Sequence, residues 1–424
     1  MVKMKKFGLV LPIILFVLLS FSLICSVAAS SDIWSQTYGG GARDSAEEIV
    51  QTSDGGYAVA GWTVSLVDNV DCLLIKTDAF GNMVWNQTYG EGGEYAFSLV
   101  ETFDGGFALA GTTLHGGGNY DFWLVRIDGT GNIVWNQTYG GTKIDQASTI
   151  VQTSDGGFAL AGYTQSFGAG TQSSWLIKTD SFGNMEWNRT YGEEGMVYAS
   201  SLVMTSDGGF ALAGETFSED GLFDFSLVKT DEDGDLEWTK TYGGEKWDRA
   251  SSLVSTSDGG FALVGRTISF GAGSYDCWLV KTDMNGNMQW NNTYGGPEWD
   301  EAFSLVETSD SGFALAGETK SFGAGDYDFW LVKTDAYGNM VWNQTYGGTE
   351  NDRANALVET SDGGFALAGR TKSFGAGEYD FWLVKTDEFG NIPEFSSWII
   401  LLLLLTVTLL IILCKRRLAK TTNN

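Results

Sequence analysis

Between residues 33 and 391 the apolar positions fall in short runs, some alternating with polar residues and some continuous, each cut off by Gly, Asp or Asn. The stretch 350–391 is representative. It reads Asn-Asp-Arg-Ala, then Leu357-Val358-Glu359-Thr360, a turn Ser361-Asp362-Gly363-Gly364, and Phe365 to Gly369. A loop Lys372 to Glu378 leads to Phe381-Trp382-Leu383-Val384-Lys385-Thr386 and a turn Asp387 to Asn391. Short runs rich in Phe, Trp, Val and Thr and bounded by turn residues read as strands. Outside two terminal apolar segments there is no helical run of convincing length. Only Pro12, Pro297 and Pro393 occur, so the ladders are little interrupted.

The pattern is periodic. Asp-Gly-Gly-aromatic begins at Asp54, Asp104, Asp155, Asp207, Asp258 and Asp362, with Asp310-Ser311-Gly312 as a variant. Trp-x-x-Thr-Tyr-Gly begins at Trp34, Trp85, Trp135, Trp187, Trp238, Trp290 and Trp342. Four strands in about 51 residues is the size of a propeller blade. The chain enters on a Trp-x-x-Thr strand and leaves after a Lys-Thr-Asp strand. The last repeat thus lacks its fourth strand and the first has one to spare. Pairing Ile33–Tyr38 with Phe381–Thr386 closes a wheel and leaves no open sheet edge at the seam. The expectation is an all-β, seven-bladed β-propeller, closed by the N-terminal strand joining the last blade, with a C-terminal transmembrane helix. Leu-Val-x-Thr is assigned innermost, Phe-Ala-Leu-Ala-Gly second, Trp-Leu-Val-Lys-Thr third and Val-Trp-Asn-Gln-Thr outermost. Most aromatics are assigned to the core, with Trp85 and its equivalents between blades.

The ends place the body. Residues 1–30 read as a signal peptide: Lys3, Lys5 and Lys6, an apolar stretch Phe7 to Cys25, then Val27-Ala28-Ala29. Ile24 stands where lipidation of Cys25 needs a small residue. A domain 31–392 and a linker 393–397 follow. The apolar run 398–414 spans roughly 26 Å as a helix, at the short end for a bilayer. Lys415, Arg416, Arg417 and Lys420 in the tail 415–424 put the C-terminus in the cytoplasm and the body outside.

Charge narrows the partners. All 53 acidic residues lie between the apolar segments, against 18 of the 25 Lys and Arg, a net charge of −35. Such a surface repels nucleic acid and anionic lipid and attracts cations. Calcium has one candidate, Asp231-Glu232-Asp233-Gly234-Asp235, whose Asp231, Asp233 and Asp235 alternate as calcium ligands do. Elsewhere that turn keeps only its first Asp, as a cap for backbone amides, and this capping reading is preferred at Asp231 too. No other cofactor is indicated. Cys72 and Cys277 occupy a repeat position held elsewhere by Phe122, Phe329 and Phe381, and read as buried apolar substitutes rather than a disulfide. With His115 the only histidine, Ser-His-Asp, Cys-His and His/Cys zinc sites lose support. No catalytic constellation stands out.

The repeat from Trp342-Asn-Gln-Thr-Tyr-Gly-Gly through Asp362-Gly-Gly-Phe-Ala-Leu-Ala-Gly to Trp382-Leu-Val-Lys-Thr-Asp resembles tandem β-propeller repeats of archaeal and bacterial surface proteins, a family of unassigned function. The resemblance covers about 33–391. Asp387-x-x-Gly-Asn also resembles the Asp-box turn of other propellers, implying a hairpin. Pro393-Glu394-Phe395, an apolar span and a basic tail are similar to archaeal PEF-type sorting signals, although Ser396 stands where Pro often follows. That similarity implies cleavage near Pro393 and a replacement anchor.

Five sequons, at Asn86, Asn136, Asn188, Asn291 and Asn343, fall on the proposed outermost strand. The copies differ most at the opposite end from the Asp-Gly-Gly turns. After Ala-Gly they carry Trp62, Thr112, Tyr163, Glu215, Arg266, Glu318 and Arg370. Before the Ala of the inner strand they carry Ser45, Tyr95, Gln146, Tyr198, Arg249, Glu301 and Arg353. These should ring the mouth of the central channel, where a rigid scaffold offers its loops for recognition. The leading expectation is a cell-surface recognition or adhesion propeller for an extracellular protein or glycan. A structural envelope component without a ligand is the alternative from another class. A glycosidase- or sialidase-like propeller is a third, with Arg43 among the arginines on that side.

Overall fold

The computed structural model describes residues 33–392, apart from 65–69, 91, 116–117, 170, 193–196 and 218–221. The expected signal peptide, linker, apolar span and basic tail lie outside the described residues. The described chain folds as seven four-stranded antiparallel sheets. Blade 1 is Asp44–Gln51, Tyr57–Val64, Val70–Thr77 and Met83–Tyr89, in sequence order from the inner strand outward. Blades 2 to 6 repeat this order. Blade 7 is Asp352–Glu359, Phe365–Thr371 and Asp380–Thr386, completed by Trp34–Tyr38 from the other end of the chain. In that last pairing Trp34 stands opposite Lys385 and Tyr38 opposite Phe381. The closure and the strand roles expected from the repeat are both present.

Two contacts recur at all seven blade junctions and explain the Trp-x-x-Thr-Tyr phrase. The outer-strand Trp packs edge-on against the aromatic that opens the next blade's second strand. Trp85 meets Phe107 with ring centroids 6.0 Å apart, Trp342 meets Phe365 at 5.9 Å, and at the seam Trp34 meets Tyr57 at 5.7 Å. The Tyr of the same strand donates its hydroxyl to a glycine carbonyl in the next blade's outer turn. Tyr38 reaches Gly81 this way across the seam. The other six, from Tyr89 to Tyr346, do so at 2.6–2.9 Å. Burial pushes these phenols well above their ordinary range, so the donor proton stays on.

The invariant turn face has its own reason. Each Asp of Asp-Gly-Gly bonds the basic residue near the end of its blade's third strand, at 2.8–2.9 Å in the six lysine copies. Arg126 and Asp104 make the seventh. The lysine side chains are only 3–9% exposed. Burial would raise the carboxyls, but the Thr hydroxyl, the ammonium and a Gly amide outweigh it. They hold Asp54, Asp155, Asp207, Asp258 and Asp310 at about 2. The residue after this Asp sits at positive φ, as Gly363 does at 84°. Ser311 takes the same conformation at 64°, the one non-glycine to do so among the described residues.

The free Cys72 and Cys277 are both buried. Not every aromatic joins the core. Phe80, Phe182, Tyr337 and Phe389 are 58–75% exposed on the outer turns, because the turn's Asp and Gly-Asn fix its shape without them.

Two outcomes follow for stability. Left-handed backbone costs a residue with a Cβ about 1–2 kcal/mol, partly offset by glycine's freedom when unfolded. Ser311→Gly should therefore raise stability by about 0.5–1 kcal/mol in a guanidinium titration. Tyr38→Phe and Tyr242→Phe should each lower it by about 1–2 kcal/mol, the cost of orphaning a buried carbonyl. Equal losses at the seam and at an internal junction would show that closure is as complete as any other contact.

Candidate functional site

The two sets of variable residues turn out to be partners. Each inner-strand residue stands directly opposite its second-strand counterpart. The pairs are Ser45–Trp62, Tyr95–Thr112, Gln146–Tyr163, Tyr198–Glu215, Arg249–Arg266, Glu301–Glu318 and Arg353–Arg370. All eleven proposed mouth residues therefore sit in one ring at the loop-bearing end of the inner strands. One step beyond each pair, after Ala46 opposite Gly61 in blade 1, the register slips by one residue, between Ala46 and Glu48. Such a bulge re-aims the side chains beside it.

The ring is polarised. Over blades 1 to 4 it is aromatic. Trp62 lies 6.1 Å from Tyr95, Tyr95 stacks on Phe97 at 6.0 Å, and Tyr163 meets Tyr198 at 5.1 Å. Tyr163 donates to Gln146 at 3.1 Å and Tyr198 donates to Gln172. From the Glu215 side of blade 4 round to blade 7 it is charged. Arg249 pairs with Glu215 at 2.8 Å and lies over Phe223. Arg266 bonds both oxygens of Glu301 at 2.8–3.0 Å and sits over Tyr275 and Trp299, whose indole also donates to Glu301. Glu301 is thus held as a counter-ion. Its partner Glu318 is raised by burial, which Arg353 opposes. Arg353 and Arg370 have cation–π contacts with Phe303 and Tyr379. Arg43, on the same side, bonds Glu378 at the exposed rim.

Sequence reasoning missed the bulge residues. Glu47 accepts from the Ser45 hydroxyl at 2.8 Å, from the Trp62 indole at 2.9 Å, and from Asn355 at 3.3 Å across the seam. The signal was available, since this position also varies among copies: Glu47, Phe97, Phe303 and Asn355. One residue further on, Ser98, Ser201 and Ser304 accept an amide from the next blade at 3.1–3.3 Å. At the seam that position is Ala356, which has no acceptor to offer. The Ile49 amide goes instead to Glu48 at 3.1 Å. Burial pushes the Glu48 carboxyl up to about 7, against that amide and with the charge of Glu47 adding to the rise.

The remaining candidates are placed as follows. Asp231 accepts the amides of Asp233 and Asp235 at 3.1 and 2.8 Å, and Asp235 bonds Arg189 at 3.0 Å. That is the capping geometry of the equivalent Asp335, which accepts from Tyr337 and Asn339. Among the described residues no three His, Cys, Asp or Glu side chains group as a metal ion would need. Asn86, Asn136, Asn188, Asn291 and Asn343 are all exposed on outer strands. In three of them the side-chain oxygen accepts a third-strand indole, from Trp175, Trp278 and Trp330 at 3.0–3.3 Å.

No protein-family model matches the sequence. The regulatory protein FlaEY of Caulobacter vibrioides is 27% identical over 193 residues, 39% of this chain but only 20% of that protein's length. Among solved structures, the Pan2 WD40 domain of Neurospora crassa superposes with a TM-score of 0.54 at 10% identity, over 82% of this chain and 91% of that one. Sqt1 from Chaetomium thermophilum gives 0.47 at 14% identity, over 80% and 82%. The likeness to the Pan2 domain is one of fold.

Glu48 makes a pH dependence readable. A carboxyl raised on folding favours the folded state below its unfolded value of 4.5, and that contribution is lost as pH rises through about 7. The Asp-Gly-Gly carboxyls act oppositely, losing their contribution as pH falls from 3.8 toward 2. Thermal midpoints should therefore peak near pH 4–5 and decline toward pH 7. Glu48→Gln should make the decline on the alkaline side shallower, with the remainder left by other carboxyls raised by burial such as Glu47, Glu215 and Glu318, and leave the acid side unchanged.

Proposed function

We propose that this chain is a recognition propeller held at the cell surface, binding an extracellular partner, most simply a protein, through the ring at its loop-bearing mouth. The observation that carries this reading is the contrast between the two faces. The turn face repeats one pairing of Asp with a basic residue seven times, six with Lys and one with Arg, whereas the mouth replaces repetition with an aromatic arc and a charged arc. Tyr, Trp and Arg on a rigid frame are the side chains that dominate protein interfaces. The resemblance to repeats of archaeal and bacterial surface proteins, the signal-like residues 1–30 and the apolar run 398–414 support a location outside the membrane that the C-terminal segment spans. Processing at Pro393-Glu394-Phe395 and glycosylation of the five exposed sequons belong to the same proposal.

Detergent-solubilised full-length chain on beads should bind envelope extract of the source cells saturably. A Tyr95→Ala, Tyr163→Ala, Tyr198→Ala variant should lose at least tenfold in binding. A Phe80→Ala, Phe182→Ala, Tyr337→Ala variant of the turn face should bind within twofold of the parent. Equal behaviour of the two variants, or no saturable binding by the parent, would remove the mouth as the recognition surface.

A further inference from the structure

Four arginines stand in the ring as two cross-strand pairs, and only one pair is in direct contact with carboxylates. Like charges directly opposite on neighbouring strands repel. Arg249 and Arg266 offset this with Glu215 and Glu301. Arg353 and Arg370 are opposed in the same way and, among the described residues, neither has a carboxylate within ion-pair distance. Among the described residues Arg370 donates no hydrogen bond, and Arg353 uses only its Nε, to Asn355 at 2.8 Å. Two carboxylates, Glu47 and Glu318, feel both arginines without touching them. Glu47 is taken by Ser45, Trp62 and Asn355. Glu318 is close enough for both arginines to lower its carboxyl against the rise from burial, but among the described residues it is not in direct ion-pair contact with either. In a chain carrying 53 acidic residues, two adjacent half-buried guanidinia that no carboxylate contacts directly are an exception.

Both groups are also oriented. Phe303 lies 3.7 Å from the Arg353 guanidinium carbon and Tyr379 lies 5.0 Å from that of Arg370. Contacts of this kind hold a guanidinium plane in place while leaving its N–H edge free. A planar fork with free donors matches a carboxylate bidentately, and little ordering remains to be done on binding.

We propose that Arg353 and Arg370 form the seat for a carboxylate of the partner protein, from an acidic side chain or a chain terminus. The inference rests on the mouth as recognition surface and names the chemistry of its charged arc. Protein is favoured over acidic glycan by the Tyr-, Trp- and Arg-rich ring that continues from the seat through Trp62.

The probe is fluorescein-labelled hexaglutamate, titrated into solubilised full-length chain at low salt and read by anisotropy, with hexaglutamine and hexagalacturonate in parallel. Hexaglutamate should saturate and hexaglutamine should not. Arg353→Gln and Arg370→Gln should each weaken binding at least tenfold, and Arg370→Lys should fall between. Arg43→Gln, at the rim, should stay within twofold. Arg370→Gln relieves a repulsion and breaks no hydrogen bond, so its thermal midpoint should stay within about 2 °C of the parent's, which separates lost binding from lost folding. Hexaglutamate that fails to saturate, or Arg43→Gln acting like Arg370→Gln, would overturn the seat. Hexagalacturonate binding without hexaglutamate would overturn the protein carboxylate in favour of a glycan. Failure of the seat alone would leave the tyrosine-dependent envelope binding intact, whereas failure of the mouth would abolish that too.

Discussion

The fold depends on one pairing, that of Trp34–Tyr38 with Asp380–Thr386. Each blade junction is completed by the outer strand of one blade reaching its Trp and Tyr onto the next. Blade 7 owns no such strand in sequence and borrows it from the start of the chain. Without the loan, Asp380–Thr386 would be an unpaired edge and blade 1 would lose the cover of Trp34 and the Tyr38 hydroxyl. Placing the closure inside a blade rather than between blades spreads the join over a ladder and two side-chain contacts. The wheel then has no junction that is chemically weaker by design.

Blade number, strand order and seam could all be read from the sequence because the residues that make the junctions are the residues that repeat. Trp85, Tyr89 and Gly131 recur because an indole, a phenol and a cradle without Cβ must meet at fixed distances. The mouth residues were legible for the opposite reason, as positions released from repetition. What stayed hidden were consequences of register. Glu47 and Asn355 lie beside the pairs only because the inner strand bulges there, and a bulge leaves no mark in a periodic pattern. Likewise the sequence offers the sequon Asn at 188, 291 and 343 as a modification signal or as a residue suited to a strand edge, without naming a partner for it. The third-strand indoles give it a second, structural use.

The two faces diverge because their chemistry tolerates change differently. On the turn face, removing one partner of a Lys–Asp pair would strand a nearly buried ammonium, a loss of charge-assisted bonds worth about 1.5–3 kcal/mol. Duplication is therefore preserved there. At the mouth the backbone ladder holds the strands together whatever side chains project from it. Pairs as unlike as Ser45–Trp62 and Arg249–Arg266 occupy equivalent places. A scaffold whose stability resides elsewhere can vary this ring without unfolding.

The charge balance of the ring shows which variation is not drift. Drift on a surface of this acidity would be expected to leave arginines either solvated at the rim or paired with the plentiful carboxylates. Arg43, Arg249 and Arg266 meet that expectation. Arg353 and Arg370 do not, although Glu47 and Glu318 are near enough to feel them. Asn355 stands between Glu47 and Arg353, accepting from the arginine Nε and donating to the Ala46 carbonyl at 2.8 Å and to Glu47 at 3.3 Å. One amide thus links anion and arginine without a direct ion pair while holding the arginine in place. Two oriented guanidinia whose N–H edges no carboxylate contacts directly are better suited to a negative group that comes and goes than to stability alone.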